Sequence, residues 1–317
     1  MKMTVLIPTY RRPKDLERCL KALQQQTCAA DEVLTIVRDT DHETHAFLKA
    51  FNPSNLCLRT VTVTVPGVIA AIDAGFAAAT GEMIAITDDD AAPHPDWLER
   101  IQSNFQTDAR VGGVGGRDYV YLGTQLLEGT APVVGKIQWF GRTIGNHHLG
   151  IGSAREVDLL KGVNMSFRSS AIAGLRCDER LKGSGAQVHF EMDLCLAVKQ
   201  QGWKLIYDPA IAVDHYPAQR FDEDERQLFS AFATANAVHN ETFILLNHSS
   251  SLQQRFIYIC WSIIVGTRSA FGLVQLLRFL PQEGGLALHK WQAAMQGRWQ
   301  GWQTWNTVRS DRQESAS

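Results

Sequence analysis

The chain has 317 residues, 45% of them hydrophobic and 20% charged, with a formal net charge of −2. That is ordinary globular composition with enough length for a large core, and it excludes the strongly basic surface that a nucleic-acid partner would call for. The six cysteines are scattered with no CxxC pair, which excludes a clustered zinc site and fits reduced thiols in a cytosolic protein.

Thr4 to Ile7 reads as a buried strand. The run from Met3 to Pro8 lacks the charged n-region and long apolar h-region of a signal peptide, which places the chain in the cytoplasm. Pro13 to Gln26 predicts a helix with Leu16, Leu20 and Leu23 on one face. Val33 to Val37 and Val61 to Val65 are β-branched strands. Val68 to Ala79 is a small-residue helix ended by Gly81, and Met83 to Thr87 is a fourth strand. This alternation predicts an α/β fold, a Rossmann-like, mostly parallel sheet flanked by helices. Ligands in such sheets bind beyond the carboxyl ends of the strands, so the residues after Ile7, Val37 and Ile86 are the places to look. Gly112 to Gly152 is glycine-rich and less periodic. A helix is expected from Phe190 to about Gln201, then two short strands, Lys204 to Tyr207 and Ile211 to Val213, around Pro209. Beyond the acidic cluster at Asp222 to Arg226 the chain reads as helices, and from Arg309 as a polar, disordered tail. The expected organisation is a domain over 1–225, a helical extension over 226–308 and a tail over 309–317.

Asp88, Asp89 and Asp90 stand at the end of a buried strand. Three adjacent carboxylates repel one another, and a divalent cation with a preference for hard oxygen ligands offsets that repulsion. Side-chain alternation lets Asp88 and Asp90 point one way and Asp89 the other. Glu191 and Asp193 fall near the start of a predicted helix, where the dipole favours carboxylates. No stretch has the glycine spacing of a phosphate loop or dinucleotide motif.

With these residues, the chain resembles the family of inverting glycosyltransferases built on a single A-type nucleotide-diphospho-sugar domain. Val5 to Pro13 is similar to that family's first strand and loop, and Leu16 to Leu20 followed by Gln26-Thr27 to its first helix. Ala78 to Asp90, then Pro95-Asp96-Trp97-Leu98, is similar to its metal-site strand and the helix after it. The resemblance runs from about Met3 to Tyr216. It implies that Asp90 binds the metal, Mn²⁺ or Mg²⁺, and that Asp88 contacts the donor ribose or the metal. It places Pro8, Thr9, Tyr10, Arg12 and Asp89 near the nucleotide sugar. Asp39 would sit on the nucleobase, where a carboxylate accepts the imide N–H of uracil or thymine. The donor is then a UDP- or dTDP-sugar. Arg38 stands where the family usually has a second acid. Asp73 lies in a segment similar to the family's Ala-Arg-Asn-x-Gly helix, and Asn164 and Arg168 in its strand beside the donor sugar. Registering Asp193-Leu194 on the family's Asp-Leu makes Glu191 the base that takes the acceptor's proton, with Asp193 the other candidate. His215 is a third metal ligand by the same resemblance, and Gly183 to His189 a flexible loop over the site.

Phe256 to Leu280 is strongly apolar but carries Arg268 near its middle, which disfavours a bilayer span. Helices on a membrane surface are expected, with Trp261, Trp291, Trp299, Trp302 and Trp305 suited to the interface. A buried extension or a dimer contact is the alternative. The expected partners are the donor and a hydroxyl acceptor such as a lipid-linked glycan, at the inner face of the plasma membrane. A metal-dependent nucleotidyltransferase and an inactive scaffold of the same fold are the competing readings.

Overall fold

The computed structural model describes residues 1–219 and 229–314, with side chains through Asp311. The chain divides into two compact units. The first comprises Met1–Lys136, Ile144–Cys177 and Leu194–Ala218; the second comprises Ile137–Thr143, Asp178–Asp193 and the chain from Gln219 on.

The first unit opens with β1 (Met3–Thr9), an apolar strand buried on both faces. Pro at the first turn starts α1 (Pro13–Gln24), which buries Leu16, Cys19, Leu20 and Leu23. Then come β2 (Glu32–Arg38), α2 (His42–Ala50), β3 (Leu58–Val63), α3 (Val68–Ala78) and β4 (Met83–Thr87). β5 (Ala91–Pro93), α4 (Trp97–Thr107), β6 (Val111–Leu122) and β7 (Gln125–Leu126) follow. The ribbon of β8 (Lys136–Ile137) and β9 (Thr143–Ile144) leads to β10 (Arg155–Val157), β11 (Asn164–Arg168), α5 (Ser169–Ile172), α6 (Phe190–Gln200) and β12 (Lys204–His215). The division between the units falls inside α6.

The main sheet runs β10-β12-β6-β11-β4-β1-β2-β3, with β5 added to β12 and β7 to β6. β4, β1, β2 and β3 are parallel, as the βαβ rhythm of the sequence dictates. β11 runs antiparallel between β4 and β6, and β12 is parallel to β6.

Several elements depart from the sequence reading, each for a physical reason. β3 begins three residues before the expected Val61, because its exposed edge position leaves little apolar pattern. α2 went unpredicted; Asp41 starts it by accepting the Thr44 N–H at 3.1 Å, a cap worth about 1 kcal/mol. The start of the glycine-rich stretch belongs to a twelve-residue strand, β6. A side chain on Gly112 would meet Trp203, one on Gly113 would meet Leu205 and Phe167, and one on Gly116 would lie 1.8 Å from the Ile211 carbonyl oxygen. The glycines therefore reflect tight packing rather than a loop. The two short strands expected around Pro209 are one strand, β12, with a register shift between Asp208 and Ala212.

The second unit holds α7 (Ala231–His248), α8 (Leu252–Ile264), α9 (Leu273–Glu283) and α10 (Gly285–Glu314). Gly297 and Gly301 let α10 approach α7 closely: a Cβ on the first would lie 2.5 Å from the Ala235 oxygen, and one on the second 2.6 Å from the His239 oxygen. The apolar run Phe256 to Leu280 is split between α8 and α9, and no helix among the described residues is long and apolar enough to cross a membrane. The residues of the split form a tight corner with Gly266 at φ 64° and Thr267 N–H donating to the Ala270 oxygen at 2.9 Å. α10 continues past the expected boundary at Arg309. The expected boundary at 225/226, with Asp222 to Arg226, and the last residues of the tail lie outside the described residues.

Candidate active site

β4 ends at Thr87 and delivers the three aspartates beyond its carboxyl end. Asp90 is 1% exposed. Its Oδ2 accepts the Ala218 N–H at 2.9 Å and its carbonyl accepts the Tyr216 N–H at 2.9 Å. Antiparallel pairing of β5 with β12 sets His215 opposite Ala91, and so beside Asp90. His215 Nε2 lies 3.4 Å from Asp90 Oδ1, yet neither atom has a well-formed hydrogen bond among the described residues. The other ring nitrogen, Nδ1, is 3.5 Å from Oδ2 of Asp118, a fully buried acid on β6. Lys161 Nζ donates to that same oxygen.

Burial alone would lower the His215 pKa, but Asp118 and Asp90 outweigh it and raise it to about 9. Burial likewise lifts Asp90, and His215, the Ala218 N–H and Arg12 overcome it to hold the carboxyl at about 2. One ligand atom from each of Asp88, Asp90 and His215 lies within 4.8 Å of the others. Buried polar atoms without partners are costly and rare in folded proteins. Two carboxylate oxygens and an imidazole nitrogen form a donor set that fits a divalent cation. Asp118 stands where a metal-bound histidine typically finds a carboxylate for its second nitrogen. The sequence reading gave no role to Asp118 or Lys161; the signal for Asp118 was an acid inside a mostly apolar and glycine-rich strand, two residues after Gly116.

Asp89 has the opposite environment. It is 2% exposed, and its carboxylate accepts from Thr9 Oγ1 at 2.8 Å and from Arg12 Nη1 at 3.0 Å. Burial pushes its carboxyl up to about 7 against the pull of Arg12. Both oxygens of Asp89, the Thr9 hydroxyl and an Arg12 nitrogen are thus engaged with one another. Together they brace the loop after β1. In that loop Pro8 is half-buried and the Tyr10 ring lies under the Arg11 guanidinium, 5.1 Å from its centroid. Arg11 takes a left-handed φ of 55°, and its N–H donates to Asp41 at 2.6 Å.

Asp39 follows β2 with a side chain 42% exposed; its Oδ1 accepts the Thr40 N–H at 2.9 Å and lies 3.4 Å from Arg38 Nε. Asp73 accepts the Cys177 N–H at 3.1 Å and so tethers that backbone. Asn164, expected at the donor sugar, is 1% exposed. Its oxygen accepts from Trp97 Nε1 at 2.9 Å, and its nitrogen donates to the Arg117 and Ile211 carbonyls at 3.2 and 3.0 Å. Both amide hydrogens are engaged, and Asn164 ties β11 to its neighbours. Arg168, on the same strand, donates to the Val111 and Phe105 carbonyls at 3.0 and 2.9 Å.

In the second unit, Glu191 is half-buried in the first turn of α6. Asp193, two residues on, is 7% exposed and accepts from His248 Nε2 at 2.7 Å. The segment before the helix holds Gln187 at φ 40° and His189 at φ 79°, left-handed values that cost non-glycine residues energy and cluster at functional sites. Asn240 on α7 clamps this segment. It accepts the Lys182 N–H at 2.7 Å and donates to the Lys182 and Val188 carbonyls, each at 2.9 Å. A sequence pattern has no way to flag Asn240, since it reads as one polar residue in a helix.

The sheet just described is the A-type fold of glycosyltransferases, the class defined by its solved relatives. A mannosyltransferase from Pyrobaculum calidifontis, in complex with GDP-Man and Mn²⁺, is 16% identical with a TM-score of 0.56, over 93% of this chain and 84% of that one. S. aureus TarS 1–349, in complex with UDP-GlcNAc, is 14% identical with a TM-score of 0.59, over 99% of this chain and 92% of that one. A glucosyl-dolichyl phosphate glucuronosyltransferase from Haloferax volcanii is 22% identical over 242 residues, 73% of this chain and 74% of its own length. The model of glycosyl transferase family 2 matches residues 4–178, and the chain belongs to that family of enzymes.

Proposed function

We propose that the chain transfers a sugar from a UDP- or dTDP-sugar to a hydroxyl of a lipid-linked acceptor, with inversion at the anomeric carbon, in cell-surface polysaccharide or glycolipid synthesis at the inner face of the plasma membrane. The observation that carries this reading is the buried cluster of Asp88, Asp90 and His215, whose ligand atoms lie within 4.8 Å of one another. In this reading those three residues hold Mn²⁺ or Mg²⁺. The ion, when bound, neutralises charge on the departing diphosphate.

Asp118 fixes the His215 ring from behind, and Asp39 accepts the imide N–H of uracil or thymine. The loop from Pro8 to Arg12 and Asp73 shape the donor pocket, Tyr10 through its ring and Thr9 and Arg12 through the brace with Asp89. Glu191 takes the proton from the acceptor hydroxyl as its oxygen attacks the anomeric carbon in line with the leaving diphosphate. Asp193, held by His248, secures the helix start that carries Glu191. The lipid-linked acceptor is supported by the Haloferax relative, whose name gives a dolichyl phosphate substrate. The metal and donor class are supported by the complexes of the solved neighbours, one with GDP-Man and Mn²⁺ and one with UDP-GlcNAc.

Hydrolysis of a panel of UDP-, dTDP- and GDP-sugars, with Mn²⁺ and with chelator, tests the reading. Release of UDP or dTDP only with the ion is expected. Equal rates in chelator would remove the metal, a preference for GDP-sugars would remove the base assignment, and release of sugar 1-phosphate would point to nucleotidyl transfer.

A further inference from the structure

The helices of the second unit leave a row of large apolar side chains in solvent. On α8 these are Leu252, Phe256, Ile263 and Ile264, spaced along one helical face; Phe256 is 70% exposed. On α9 they are Leu273, Val274, Leu277 and Leu280, again one face, and Leu277 is 63% exposed. None of the α9 side chains is buried. A soluble helix that packs on a core buries one face; α9 does not.

The corner between these helices is held firmly. Arg298 of α10, 4% exposed, donates to the Phe271 and Ala270 carbonyls at 2.7 and 2.8 Å. A buried guanidinium is an expensive anchor for two carbonyls, and it fixes the turn from which α9 departs. α9 is therefore presented, not frayed.

Charge identifies the occupant. Between Ser249 and Ser310 the chain has six Lys or Arg residues and one acid, Glu283, although the whole protein carries −2. That acid is neutralised by Lys290 at 2.7 Å. Arg268 and Arg278, both exposed, flank the α9 row and lie over the Phe279 ring at 5.5 and 5.4 Å. Trp299 and Trp302 stack at 5.1 Å on an exposed face of α10. Apolar row, basic flank and exposed tryptophans together are the composition of a helix lying in a lipid headgroup layer. A protein partner or a second copy would call for complementary acids, and this segment has none to spare.

We infer that α9, with the exposed face of α8, inserts as a monotopic anchor into an anionic bilayer, its Leu273-Val274-Leu277-Leu280 row in the acyl boundary and Arg268 and Arg278 at the phosphates. This deepens the peripheral-membrane part of the function proposed above but is independent of the donor and the metal. The test is sedimentation of the full chain with phosphatidylcholine vesicles, with or without phosphatidylglycerol. Binding is expected with the anionic vesicles only, weakening as salt rises. Val274→Glu together with Leu277→Glu should reduce binding to background, and Arg278→Glu should weaken it about five-fold or more, the factor one cation near an anionic surface carries. UDP titration of each variant in solution monitors the fold and the donor site separately. Failure to bind any vesicle overturns the inference. So does a wild-type dimer in light scattering that the double variant dissociates, since the row would then be an interface between copies. Vesicle binding without any sugar transfer would leave the anchor standing and remove the enzymatic reading instead.

Discussion

Two pairs of carboxylates, each two residues apart, face opposite situations. Asp88 and Asp90 follow a buried strand; Glu191 and Asp193 open a helix. Each pair has one member half-buried and one nearly sealed from solvent. The sealed member of the second pair is satisfied: Asp193 receives a 2.7 Å hydrogen bond from His248. The sealed member of the first is not, because Asp90 Oδ1 faces an imidazole at 3.4 Å with no well-formed hydrogen bond. Burial alone does not separate a binding acid from a structural one. The separation comes from whether the fold completes the acid's hydrogen bonds or leaves an atom for something else.

The comparison breaks first at Asp90. Asp90→Ala should abolish Mn²⁺-dependent thermal stabilisation by UDP and bring transfer to background; stabilisation that persists at wild-type size, read by differential scanning fluorimetry, would remove Asp90 from the metal set. Next is Glu191. Glu191→Gln keeps the shape and loses the basicity, so transfer should fall ~10²- to 10⁴-fold while calorimetric affinity for UDP with Mn²⁺ stays nearly unchanged. Unaltered transfer would hand the role to Asp193. Asn164→Ala leaves the Trp97 N–H and two carbonyls buried without partners, and should cost about 2–5 kcal/mol in urea unfolding. A loss confined to donor affinity would place Asn164 in the sugar pocket. The smallest effect belongs to Asp193→Asn, which weakens one hydrogen bond to His248: about 1–2 kcal/mol in stability and less than about ten-fold in turnover. A larger drop in turnover than for Glu191→Gln would mean the two roles are exchanged.

Much of the sheet was legible in the sequence because it is made of patterns: β1, β2 and β4 are apolar runs bounded by polar turns, and α1 repeats its leucines at helical spacing. What escaped was set by packing in three dimensions. The first half of β6 is mostly glycine, a residue that strands disfavour, because neighbouring groups already occupy the space beside it. The acids themselves were legible as types, but not their partners. Asp89 and Asp90 are adjacent and chemically identical. Only the fold turns one toward Thr9 and Arg12 and the other toward His215, from a strand more than a hundred residues on. Asn164 makes the same point: a buried amide and a sugar-binding amide have the same letter, and only the fold shows its oxygen taking the Trp97 N–H.

The near contact of β6 with β12 has an evolutionary consequence. Where a single methyl at Gly116 would lie 1.8 Å from the Ile211 oxygen, the backbone admits no substitution without parting two strands. Those strands carry Asp118 and His215. A mutation at this seam would therefore be filtered by sterics before catalysis is ever consulted, because it would disturb the spacing of the two side chains. The end of β2, where the Asp39 side chain is 42% exposed, is under no such steric filter.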